Sequence, residues 1–263
     1  MPLPFIPAGM DVTVWPPVLA TRGPGFRGAL HSHHALHFVL ALDGELRVRT
    51  SAFGPWSSAA GVLTAPDAPH AIDSHGGEVL LVFLDPESDD GATFRPVLDH
   101  PVRLLSARER SALVRDVVPR TILRSGADAW VRNAARTMRV ALPASPRTIH
   151  PRVRRVLRML RSSGVDDDTS LEVLAGFVGL SPSRLMHVFT ASVGIPLRPY
   201  LSWLRVQRAA IAIVTGSPLG DAAHAAGFAD AAHMSRTFKR MLGVAPSLLR
   251  PMRCSEEAAL PYR

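Results

Sequence analysis

The chain has 263 residues, 47% apolar and 20% charged, with 30 basic side chains against 22 acids and a formal net charge of +8. That is enough chain for two domains with cores of their own, and no apolar run approaches the ~18 residues a membrane span requires. The lone cysteine, Cys254, excludes an internal disulfide and a cysteine-rich zinc site and reads as an ordinary thiol in a loose tail. Residues 1–7 lack the basic and long apolar segments of a secretion signal, so a cytoplasmic chain is expected.

The charge is uneven. Residues 1–101 hold five arginines against eleven acids, net −6; residues 102–150 hold ten arginines against three acids, net +7; residues 151–263 hold fifteen basic side chains against eight acids, again net +7. An acidic front and a basic rear place contact with a polyanion toward the C-terminus.

In chain order, residues 11–84 read as short strands separated by turns. Segments 38–42 and 45–49 flank Asp43-Gly44, a hairpin signal; 62–65 and 79–84 are further apolar strands. Such spacing predicts an antiparallel β-barrel or sandwich. Within it lies Gly25-x5-His31-x-His33-x3-His37-x6-Gly44, followed by Pro66-Asp-Ala-Pro-His70. These stretches resemble the two motifs of cupin barrels, with His37 where a glutamate often sits and the second motif one residue shorter. In such a barrel His31, His33, His37 and His70 face the lumen. There they can hold a divalent metal through imidazole nitrogens, line an effector pocket, or be structural only. Strand alternation turns His34 the other way, out of the barrel.

A helical pattern is expected from Pro101 onward. Ser106-Ala-Arg-Glu109 has the form of a capping box, and Leu113, Val117 and Val118 form an apolar stripe. Asp128 is expected to cap a second helix reaching Leu142, and Pro143–Pro146 forms a linker. Arg103, Arg108, Arg110 and Arg115 read as solvated faces.

From Ile149 to Leu249 the pattern is helical and contains one layout twice. Leu171, Ala175 and Gly179 match Leu219, Ala223 and Gly227 at a constant offset, with Phe189 and Phe238 one residue further out of step. Each copy is a short apolar helix, a glycine suited to positive φ, a polar cap (Ser181 or Asp230) and a second helix, which is a helix-turn-helix unit. Leu171, Leu174, Leu180, Leu185, Val188, Phe189, Met234, Phe238 and Met241 fall on buried faces. Ser183, Arg184, Met186 and His187 fall outside in the first copy. Ala231, Ala232, His233 and Arg236 do so in the second, with Lys239 and Arg240 toward the DNA backbone. Arg236 is the strongest base reader, because a guanidinium fork matches guanine O6 and N7.

The stretch 226–247, with Gly227, Phe228, His233, Phe238, Gly243 and Pro246, resembles the signature of the AraC/XylS family of bacterial transcription regulators. Leu180–Leu185, Gly194–Leu197 and Tyr200–Ala209 are similar to its first unit and linking helix. The resemblance covers roughly 150–250. It implies two helix-turn-helix units inserted into successive major-groove segments, with base contacts at Ser183, Met186, His187, Ala231, Ala232, His233 and Arg236. It also implies an N-terminal cupin-like domain that senses a small molecule, a helical dimerisation region, and promoter DNA, RNA polymerase and a second copy of the chain as candidate partners.

The expected fold class is thus α+β and multidomain. A cupin-like sensing barrel occupies 1–101, a helical linker 102–146, an all-α double helix-turn-helix domain 147–252, and a loose tail 253–263. The expected function is sequence-specific transcription regulation, activation before repression, without a catalytic site. The alternatives are a metal-responsive regulator using His31, His33, His37 and His70, a metal-dependent cupin enzyme with a DNA-binding tail, and a non-specific architectural protein.

Overall fold

A computed structural model of the chain describes residues 18–115, 127–140, 149–164 and 167–249. The N-terminal half is mostly β, with strands β1 (Val18–Pro24), β2 (Leu36–Ala41), β3 (Leu46–Arg49), β4 (Ser57–Ala59), β5 (Gly61–Thr64), β6 (Ala71–Asp73), β7 (Glu78–Leu84) and β8 (Val102–Leu105). They form a five-stranded sheet in the order β1-β7-β2-β5-β8 and a three-stranded sheet in the order β4-β3-β6. The two sheets do not close on each other, so the expected closed barrel is not formed by the described residues.

The Asp43-Gly44 turn is present, with Gly44 at φ 66, but it does not make a hairpin. β2 pairs with β5 and β7, whereas β3 pairs with β4 and β6. The cause is legible in the side chains. Every residue of β2 is buried: Leu36, Phe38 and Leu40 face one apolar cluster, and Val39 and Ala41 face another. A strand apolar on both faces needs cover on both, which the middle of the larger sheet supplies. β3 alternates buried and half-buried positions and suits the smaller sheet.

Outside the larger sheet lie helices α1 (Asp89–Phe94), α2 (Ala107–Val114) and α3 (Ala127–Thr137). Phe38 meets Phe94 and Trp130 edge-on, each at 5.2 Å between ring centroids. Residues 102–105 are not helical as expected: β8 pairs antiparallel with β5. Helix α2 starts only after Ser106, whose side chain and that of Glu109 form the anticipated capping box. Asp128 lies inside the first turn of α3 instead of capping it, and α3 stops at Thr137, short of Leu142. Arg139, at φ 53, ends it through the bond from Val140 N–H to the Ala135 carbonyl, a left-handed cap built without glycine. Val117, Val118, the linker 143–146 and Cys254 lie outside the described residues. Arg108 and Arg115 are exposed, while Arg103 pairs with Glu109 at 2.8 Å and Arg110 donates to the Ala41 and Leu42 carbonyls.

The C-terminal half comprises α4 (Pro151–Ser162), α5 (Leu171–Val178), α6 (Pro182–Val193), α7 (Leu197–Val214), α8 (Leu219–Ala225), α9 (Ala231–Leu242) and a 3-10 turn, Pro246–Leu249. Gly179 and Gly227 take φ values of 63 and 79 at the corresponding turns. The two units are supported differently. The first, α4–α6 with the front of α7, has its own core around Leu157, Leu174, Leu185, Phe189 and Tyr200. The second, α8–α9 with the rear of α7, shares one continuous apolar core with the β half: Trp203, Val206, Phe228, Met234 and Phe238 join Val39, Leu46, Val62 and Ile72. Leu171, Leu180 and Met241 are half-buried at the margins of these cores. No helix among the described residues is long and apolar enough to cross a membrane.

A buried polar network ties the first unit to the β half. Arg161 of α4 forms an ion pair with Asp85, lies 3.7 Å from Glu87, and donates to the Tyr200 hydroxyl at 3.3 Å. Glu87 in turn accepts from His34 Nε2 at 3.1 Å, and His34 Nδ1 donates to Asp67 at 2.7 Å. His34 therefore does turn away from the other histidines, as alternation predicts, but into this network and not into solvent: it is 3% exposed. Burial opposes its charge, yet the hydrogen bonds and charges of Asp67 and Glu87 prevail and raise its pKa to about 9. Burial, reinforced by the neighbouring Glu87, pushes Asp85 up despite Arg161.

Arg161→Ala should therefore lower stability by about 3–5 kcal/mol, because it strands two buried carboxyls. The combined variant Arg161→Met, Asp85→Asn, Glu87→Gln should cost clearly less. Chemical denaturation of the purified chain measures both. Equal loss in the two variants would mean that Arg161 acts through packing and not through charge.

Candidate functional site

Each second helix of the repeat is started by the residue chosen from sequence. The Ser181 hydroxyl accepts from Arg184 N–H at 3.3 Å, with Pro182 at the first helical position, where its missing N–H costs nothing. The Asp230 carboxylate accepts from His233 N–H at 2.6 Å, a bond that holds its pKa below the usual range. On α6, Leu185, Val188 and Phe189 are buried, leaving Ser183, Arg184, Met186 and His187 exposed; Met186 is 47% exposed. On α9, Ala232, Arg236, Lys239 and Arg240 are exposed, whereas Ala231 and His233 are half-buried. The His233 ring lies edge-on against Phe228 at 5.3 Å, so its outward reach is smaller than that of Arg236. Both helices thus present a polar and basic face next to a buried one, the arrangement needed to enter a major groove.

Further arginines adjoin the first unit. Arg152 and Arg155 of α4 reach the Gly179 and Phe177 carbonyls at 2.8 and 3.4 Å, and Arg155 lies over the Phe177 ring. They hold the turn between α5 and α6. With exposed Arg154 and Arg158 they make α4 a basic face.

The second site is a cleft between the β half and the rear of the helical half, with about 870 Å³ of free space, part of it open to solvent. One wall carries His31, His33 and His37, beside Phe26, Ile72 and Phe83; the opposite wall is α7 with the end of α9 and the segment after it, including Trp203, Val206, Gln207, Leu242 and Val244. His31 and His70 are joined by two backbone hydrogen bonds of 3.0 and 2.8 Å, and this bridge brings the two histidine-bearing stretches together. Donor atoms of His31, His33 and His70 all lie within 4.8 Å of one another. The His37 ring adjoins His33 at 5.1 Å between centroids and stacks on Phe83 at 4.0 Å, outside that donor group. Burial holds all four imidazoles below their usual pKa, His70 at about 3. Neither ring nitrogen of His33 or His37, nor Nε2 of His70, has a hydrogen-bond partner.

Two residues of this cleft escape a reading by motif. Trp203 stacks on His33 with ring centroids 5.5 Å apart and planes 17° from parallel. Gln207 is 4% exposed, and its Oε1 has no partner. Trp203, Val206, Gln207, Ala210 and Val214 recur at helical spacing, and a glutamine within that apolar stripe was the available signal.

Residues 174–252 match the family described as a helix-turn-helix domain. The arabinose operon regulatory protein of Escherichia coli K12 is 33% identical over 111 residues, covering 39% of this chain and 37% of that protein. Its Salmonella typhimurium counterpart is also 33% identical and is covered over 38% of its length. The chain thus matches little more than a third of the length of these relatives. Among solved structures, ToxT from Vibrio cholerae aligns with a TM-score of 0.58 at 10% identity, over 91% of this chain and 100% of that one. ToxT with a bound unsaturated fatty acid aligns with a TM-score of 0.56 at 11% identity, over 90% of this chain and 95% of that one. The fold is therefore shared with ToxT along nearly the whole chain, and residues 174–252 match a helix-turn-helix domain.

Proposed function

We propose that the chain is a ligand-responsive, sequence-specific transcription regulator. The observation that carries this reading is that two capped helices, α6 and α9, both leave a polar and basic face free for DNA, while the second is rooted in a core shared with the β half. Arg184, Lys239 and Arg240 neutralise phosphates, and Arg236 reads a base edge. Ser183, Met186, His187, Ala231, Ala232 and His233 complete the two reading surfaces. Met186 and the alanines offer only apolar contact, which suits thymine methyls or recognition by DNA shape.

The β half acts as a cupin-related sensing domain, and its cleft takes a small, largely apolar effector. Its walls are almost entirely apolar side chains, and Gln207 supplies a buried acceptor. One of the ToxT structures holds an unsaturated fatty acid, which supports an apolar small-molecule effector for a protein of this fold. A homodimer, RNA polymerase contact and a cytoplasmic location belong to the same reading.

Selection of random duplexes by the full chain should enrich a bipartite motif with half-elements about one helical turn, ~34–36 Å, apart. Uniform binding to every duplex with steep salt dependence would reduce the protein to a basic DNA coat. On the enriched site Arg236→Ala should cost about 1–3 kcal/mol and relax preference at one base. An equal loss on all sequences would make Arg236 a phosphate contact instead.

A further inference from the structure

We infer that His31, His33 and His70 form a three-imidazole site for a divalent first-row transition-metal ion of the zinc class, and that its occupancy is transmitted to the second recognition helix. The transmission to DNA rests on the reading above; the site does not.

The orientation of the rings comes first. His31 Nδ1–H donates to the Ala29 carbonyl at 2.7 Å and His70 Nδ1–H to the Ala68 carbonyl at 2.9 Å. Each ring is thereby fixed with Nε2 available, the usual outer support of a metal-bound histidine. Nε2 of His70 and both nitrogens of His33 are buried without partners, which is costly for polar atoms unless something is bound. Ring centroids lie 4.3 Å apart for His31 and His70, 5.0 Å for His33 and His70, and 5.6 Å for His31 and His33. Metal–nitrogen bonds of ~2.0–2.1 Å place tetrahedral donors roughly 3.3 Å apart, so ring rotations of about 1 Å close the set. Among the described residues no carboxylate belongs to the donor group, and three imidazoles leave a fourth tetrahedral position for water or an anion.

The same rings touch the DNA-binding half. Gly243, in the left-handed conformation at φ 70, ends α9, and its carbonyl accepts from Ala29 N–H at 3.0 Å. A Cβ on Gly243 would collide with His31 Nδ1 and stand 2.5 Å from the Ala29 carbonyl. His33 meanwhile stacks on Trp203 of α7. Drawing His31 and His33 onto an ion therefore moves groups in direct contact with the end of α9 and with the helix joining the two units. No comparable contact links the cluster to α6 among the described residues.

The untagged full chain, stripped with chelator, should bind one Zn2+ per chain and give the visible absorption of tetrahedral Co2+ when loaded with that ion instead. His31→Ala, His33→Gln and His70→Ala should each weaken binding more than about 10-fold. Excess Zn2+ should raise the unfolding temperature of the parent chain but not of these variants, a readout that stands even if one variant folds poorly. No stoichiometric binding, or binding undiminished in all three variants, overturns the site. On the selected DNA, loading should change affinity about 5–150-fold, with the same factor appearing in Zn2+ affinity when DNA is bound. Equal DNA affinity with and without ion overturns the transmission. Failure of the duplex selection, with Zn2+ binding intact, would instead sink the regulatory reading.

Discussion

The arrangement of the two halves depends on the half-buried Arg161 side chain and the buried carboxyls it meets. It reaches from α4 across to Asp85 and Glu87, and it is held by the Tyr200 hydroxyl from α7. Charges so placed lose most of their hydration, and removing any one leaves the others uncompensated. Such a network is directional: the guanidinium fork, two carboxyls and the His34 ring admit few relative positions of the elements that carry them. The apolar core joining the second unit to the sheets is different in kind. It gains from burial whatever the detailed angle. Register between the halves is therefore set at the first unit by polar geometry, and adhesion is set at the second unit by apolar area.

Much of the fold is legible wherever one local rule dominates. The double helix-turn-helix follows from glycines at 179 and 227 and caps at 181 and 230, each of which acts within a few residues. The capping box at Ser106 and Glu109 is equally local. The errors arise where tertiary demand overrides a local signal. Asp43-Gly44 is a good hairpin turn, but β2 is apolar on both faces and can satisfy both only inside the larger sheet, away from β3. β8 resembles the start of a helix because its strand character comes from the β5 edge it completes. The end of α3 carries no stop signal, since Arg139 takes the left-handed conformation usually assigned to glycine.

The histidine cluster shows the same division. Spacing alone suggests four histidines in one place; the four rings adjoin, and three of them, His31, His33 and His70, bring donor atoms within 4.8 Å of one another. His37 also stacks on Phe83, a strand neighbour (His37 and Phe83 are register partners) that no motif encodes. His34 was assigned the right direction but not the right environment, because Asp67, Glu87 and Arg161 come from three distant segments. Trp203 and Gln207 belong to a helix whose visible task is to link two helix-turn-helix units. Only the docking of that helix on the sheets makes them walls of a cleft.

The unequal support of the two units bears on how a ligand could act. An 18-residue helix, α7, joins them; at ~1.5 Å per residue it is about 27 Å long. Its front belongs to the core of the first unit and its rear to the core shared with the β half. A molecule or ion lodged in the cleft therefore presses on the rear of α7 and the end of α9, while the first unit stays fixed by Arg161. Under the proposed reading the effect on DNA is unequal: the half-element read by α6 is held at constant affinity, and the half-element read by α9 is adjusted. A regulator so built tunes its grip on one half of its site without releasing the other.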